Sequence, residues 1–65
     1  MSIGGRIKDY IDNKGIKQAF LVERTGLSQH IVSKSLNGKR EIKIMEYYLI
    51  CTALEVPFDK FIQQG

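Results

Sequence analysis

The chain has 65 residues, a mass of 7.4 kDa and a formal charge of +3 with a pI near 9.2, the size of one small domain that buries only about 60% of the surface it exposes when unfolded. Hydrophobic residues at 43% and charged residues at 26% exclude a disordered polyelectrolyte, and no apolar run approaches the roughly 18 residues of a membrane span or forms a signal-peptide core. One cysteine, Cys51, and one histidine, His30, exclude an intramolecular disulfide framework and leave no ligand set for structural zinc. These limits predict a single cytoplasmic domain over residues 1–65, with no metal or cofactor and no catalytic activity.

The apolar residues repeat at intervals of three and four, with no sustained alternation of period two, so the predicted class is all-α with five short helices. Ile3, Ile7, Tyr10 and Ile11 form the stripe of the first, closed by Lys14 and Gly15; Gly4 and Gly5 weaken its opening turn by up to about 1 kcal/mol each relative to alanine. The second runs from about Lys17 to Arg24 and stops at Thr25-Gly26. Ser28 is a good N-cap for the third, which runs to about Leu36 and stops at Asn37-Gly38. The fourth spans about Ile44 to Leu54, with Ile44, Tyr47, Tyr48, Ile50, Cys51 and Leu54 toward the core. Pro57 suits the first turn of a fifth helix carrying Phe58, Phe61 and Ile62. The tyrosines and phenylalanines fall at helical spacing and read as core, and Cys51 reads as a small buried hydrophobe.

Charge is unevenly spread. Residues 1–13 balance, residues 44–65 carry −2, and residues 14–43 hold seven cations against Glu23 and Glu41, a net +5. A local excess of this kind fits a polyanion partner or a solvated basic surface; a membrane partner would call for a basic amphipathic helix. At about 100° per residue, Gln29, His30, Ser33, Lys34 and Asn37 fall on one side of the third helix, and Ile31, Val32, Ser35 and Leu36 on the other. The polar side contains no carboxylate, whereas solvated helix faces usually mix Glu with Lys. Gln pairs with the N6 and N7 edge of adenine, and Lys with O6 and N7 of guanine. His30 lacks a second ligand or a nucleophile beside it, and Asp9 and Asp12 flank Lys8 on a solvated face, so neither reads as catalytic.

A short helix, a glycine-containing turn and a second capped helix over about 17–37 form a helix-turn-helix. In this order and spacing, Ile3-Gly4-Gly5-Arg6-Ile7-Lys8, Gly15-Ile16-Lys17-Gln18, Thr25-Gly26-Leu27-Ser28, Asn37-Gly38-Lys39-Arg40 and Leu54-Glu55-Val56-Pro57-Phe58-Asp59 resemble the phage-repressor and Cro-type (XRE-like) helix-turn-helix family over residues 3–62. The resemblance implies a compact five-helix, lambda-repressor-like domain that binds double-stranded DNA as a transcriptional regulator, probing the major groove with residues of about 28–36. It implies that Gln29, His30, Ser33 and Lys34 read bases, and that Lys17, Gln18, Ser28, Asn37, Lys39, Arg40 and Lys43 lie along phosphates.

Three positions depart from the family pattern. Ile11 and Leu36 stand where many phage repressors place an Arg–Glu pair, which predicts an apolar contact instead. Val22 replaces a usual alanine between the two helices. Ser35 occupies a usually apolar site and needs a polar partner. Met45, Leu49 and Thr52 follow i, i+4, i+7 spacing, so Met45 and Leu49 with Phe58 and Ile62 are candidates for a homodimer surface or for the domain's own core. An inverted-repeat operator is the matching DNA partner; no small-molecule ligand is evident. The rival reading is a helix-turn-helix module that binds protein, of antitoxin or anti-repressor type, which has no reason to exclude carboxylates from residues 28–37.

Overall fold

The computed structural model describes residues 2–62. Among these there are four helices and no strand: α1 (Ile3–Lys14), α2 (Gln18–Thr25), α3 (Gln29–Leu36) and α4 (Ile44–Leu54). Their bounds follow the side chains that satisfy helix ends. Ser2 Oγ accepts from Gly5 N at 3.0 Å to start α1, and Ser28 Oγ accepts from Ile31 N at 3.1 Å to start α3. At the other end of α1, Gly15 N donates to Asp12 O and Ile16 N to Ile11 O, a paired closure repeated after α3 by Gly38 N to Ser35 O and Lys39 N to Lys34 O. Helix α4 closes the same way around Glu55, which takes a left-handed conformation at φ 57° although it has a side chain.

Helix α1 packs on α3, and α2 packs on both α3 and α4. The buried core is Ile7, Ile11, Leu21, Val32, Leu36, Tyr47, Ile50, Cys51 and Phe61. Ile11 and Leu36 are each 1% exposed and both belong to this core. Gly4 is also buried, with its α-carbon against the Ser35 carbonyl, where a Cβ would overlap the oxygen. The glycine that weakens α1 as an isolated helix is therefore what lets α1 approach α3.

Among the described residues the fifth helix does not form. Residues 58–62 are turns, held by Lys60 N to Pro57 O at 3.0 Å and Ile62 N to Asp59 O at 3.3 Å. Side chains fix this segment instead: Phe61 N donates to Tyr47 Oη at 3.2 Å, and Arg6 Nη1 donates to Phe61 O at 3.0 Å. Phe61 is thereby drawn into the core, edge-on to Tyr10 with ring centroids 5.5 Å apart. A regular helix would spend those backbone groups on its own ladder.

Two residues of α4 assigned to the core face outward: Ile44 is 72% and Tyr48 52% exposed. The buried face of α4 centres on Tyr47, Ile50 and Cys51, and the helix is apolar nearly all round, so periodicity alone misplaces its inner stripe. Phe58 is exposed as well, standing edge-on to Tyr47 with centroids 4.8 Å apart. Burial raises the Cys51 thiol and the Tyr47 hydroxyl above their ordinary pKa values.

Candidate nucleic-acid interface

The turn between α2 and α3 is built by Thr25 and Gly26. Thr25 Oγ1 donates to Leu21 O at 2.5 Å and accepts from Leu27 N at 3.2 Å, so one buried hydroxyl serves the end of α2 and the start of the turn. Gly26 sits at φ 78° and donates to Val22 O at 3.0 Å; a side chain in that conformation costs roughly 1–2 kcal/mol. Ser28 then caps α3, and its backbone carbonyl accepts from Val32 N at 3.1 Å.

These contacts fix which side of α3 meets solvent. Val32, Ser35 and Leu36 are buried and Ile31 is half-buried, while Gln29, His30, Lys34 and Asn37 are exposed and Ser33 is half-buried. Asn37 Nδ2 lies 3.4 Å from Ser33 Oγ, its donor directed along the same face. The exposed face of α3 is therefore continuous, polar and free of carboxylates.

Phosphate candidates flank it on two sides. At the start of α2, Lys17 is the N-cap residue and its side chain has no acceptor to offer, so among the described residues no N-cap side chain closes the first turn of α2; Phe20 N is bonded to Lys17 O. Lys17 is exposed and Gln18 half-buried at that end. Beyond α3, Lys39 and Lys43 are exposed on the loop leading to α4.

Cations elsewhere are engaged within the protein. Lys8 Nζ meets Asp12 Oδ2 at 2.9 Å, which raises the Lys8 pKa. Lys14 and Lys60 lie over the Tyr10 ring at 5.6 and 5.1 Å, and Arg24 over Phe20 at 5.0 Å. Among the described residues Lys17, Lys34 and Lys39 take part in no ion pair or ring contact.

Arg40 behaves differently from the other loop cations. Its guanidinium forks onto Glu46, Nη1 to Oε1 at 2.6 Å and Nη2 to Oε2 at 2.8 Å, and Nη1 also lies 3.3 Å from Ser35 Oγ. This supplies the polar partner that Ser35 needs in its apolar setting. Glu46 Oε1 further accepts from Lys43 N at 2.9 Å. The Arg40 fork, followed by that amide, holds the Glu46 carboxyl at a pKa of about 2. Periodicity could not find this pair, whose members lie six apart across a loop; its only trace in the sequence is a glutamate placed to cap α4.

Phe58 and Ile62 line a groove of about 660 Å³ together with Ile3, Ile42, Ile44 and Tyr47, between the start of α1 and the start of α4. Met45 is 64% exposed on the neighbouring face of α4, and Leu49 is half-buried. Among the described residues no three His, Cys, Asp or Glu side chains gather as a metal ion would require, and no helix is long and apolar enough to cross a membrane.

A family model described as the Cro/C1-type HTH DNA-binding domain matches residues 6–62 of the chain. No curated protein matches it.

Proposed function

Because the chain belongs to the Cro/C1-type helix-turn-helix DNA-binding family, we propose that it is a sequence-specific transcriptional regulator of the phage-repressor kind, acting in the cytoplasm and without catalysis. The observation that carries this reading is the exposed, carboxylate-free face of α3, held outward by the capped turn at Thr25–Ser28. In this reading α3 enters the major groove and Gln29, His30, Ser33 and Lys34 read base edges. Lys17, Gln18, Ser28, Asn37, Lys39 and Lys43 lie along the backbone, where contacts set register and salt dependence.

The protein acts as a homodimer on an inverted repeat, since one short helix reads too few bases for specific control. Phe58, Ile62, Met45 and Leu49 supply the candidate contact, with Ile44 adding exposed apolar surface beside them.

The test is duplex binding by Lys34→Ala against Lys39→Ala. The first should lose about 1–3 kcal/mol and relax one base position; the second should weaken all duplexes alike and lower the salt slope by about one. Parent-like binding of every duplex by both variants contradicts the assignment.

A further inference from the structure

The loop from Asn37 to Lys43 carries Lys39 and Lys43, yet its own backbone holds it weakly. After Lys39 N donates to Lys34 O, the next bond from the loop backbone is Lys43 N to Glu46 Oε1. Between them the fastening is Arg40: its planar fork meets both oxygens of Glu46, while Nη1 touches Ser35 Oγ and lies 3.3 Å from Glu41 O. Ser35 is 2% exposed and belongs to α3, so the guanidinium ties the end of α3 to the first turn of α4. The Arg40 and Glu46 side chains are only 27% and 13% exposed. With both Nη atoms on a carboxylate that neutralises its charge, Arg40 attracts a phosphate less strongly than Lys39, which has no ion-pair partner among the described residues.

We propose that Arg40 is a positioning residue, which through Glu46 and Ser35 sets the loop bearing Lys39 and Lys43 against α3, and is not itself a phosphate ligand. This rests on the DNA-binding reading and gives it an internal division of labour: Lys39 and Lys43 meet the backbone, and Arg40 decides where they stand. A lysine cannot substitute, because a single ammonium does not reproduce the fork.

The experiment titrates the full chain and its variants with the preferred duplex, at a temperature where circular dichroism shows each variant folded. Glu46→Gln removes a negative charge from a protein that binds a polyanion. Positioning predicts that it nonetheless binds about tenfold more weakly, the loss of one charged hydrogen-bond partner. If Arg40 were a phosphate ligand held back by Glu46, the same variant would bind as tightly as the parent or more tightly. Arg40→Lys keeps the charge and serves where Glu46→Gln folds poorly; it should lose a similar factor, and parent-like affinity overturns the proposal. Lys39→Ala should cost little further affinity in the Arg40→Lys background, since a misplaced lysine has less to lose; strict additivity overturns positioning.

A readout free of DNA separates this proposal from the functional reading. Exchange of the Lys43 amide, bonded to Glu46, should quicken about tenfold in Arg40→Lys. Unchanged exchange overturns the proposal. Failure of the parent to bind any duplex overturns the functional reading instead, and the amide then decides on Arg40 alone.

Discussion

The Gly4 α-carbon rests directly on the carbonyl of Ser35, close enough that a Cβ at residue 4 would overlap that oxygen. The obstacle is backbone in the last turn of α3 and cannot rotate away. Gly4→Ala gains local helix propensity, but the two helices must part to admit the methyl group. We predict a net loss of about 1–3 kcal/mol, a fall in Tm of roughly 4–8 °C per kcal/mol for a domain of this size. A Tm at or above the parent's would show that the contact yields at no cost. Because α3 also carries the candidate reading face, duplex affinity should fall with stability.

Glu55 is the one residue with a side chain among the described positions of positive φ. It closes α4 in the role that glycine fills after α1 and α3. Glu55→Gly removes a left-handed penalty of roughly 1–2 kcal/mol but adds freedom to the unfolded chain, so the expected gain is about 0.5–1 kcal/mol. Urea unfolding measures it; a lower midpoint contradicts the prediction.

The Arg40–Glu46 pair has a definite pH signature. Folding lowers the Glu46 pKa from the ordinary 4.5 to about 2. The carboxylate's contribution is therefore present above about pH 4.5 and is lost as the pH falls from there toward 2. Glu46→Gln should be less stable than the parent by about 1–2 kcal/mol at neutral pH, with the difference shrinking across that acid window. A difference that stays constant from pH 6 to pH 2 contradicts this origin.

The parts of the molecule legible in the sequence are those written in local chemistry. Gly15, Gly26, Ser28 and Asn37-Gly38 mark helix ends because each satisfies backbone groups within a few residues, and the split of α3 into two faces follows from periodicity alone. What escaped was set by distant partners. The segment after Pro57 looks helical by its spacing, but Tyr47 and Arg6 capture the Phe61 backbone and turn it inward. Ile44 and Tyr48 resemble core residues because α4 is apolar nearly all round, and only its neighbours determine which stripe is inner. Gly4 looks like a weak start to α1 until Ser35 is placed against it.

In the proposed function the polar face of α3 reads duplex sequence, two copies at a time. Selection of bound duplexes from a random pool at moderate salt, followed by sequencing, tests it most directly. The expected result is enrichment of an inverted repeat whose half-sites lie about one helical turn, roughly 34 Å, apart. A single unrepeated motif would contradict the dimer, and no enrichment, with no salt-dependent retention of any duplex, would contradict DNA reading by α3.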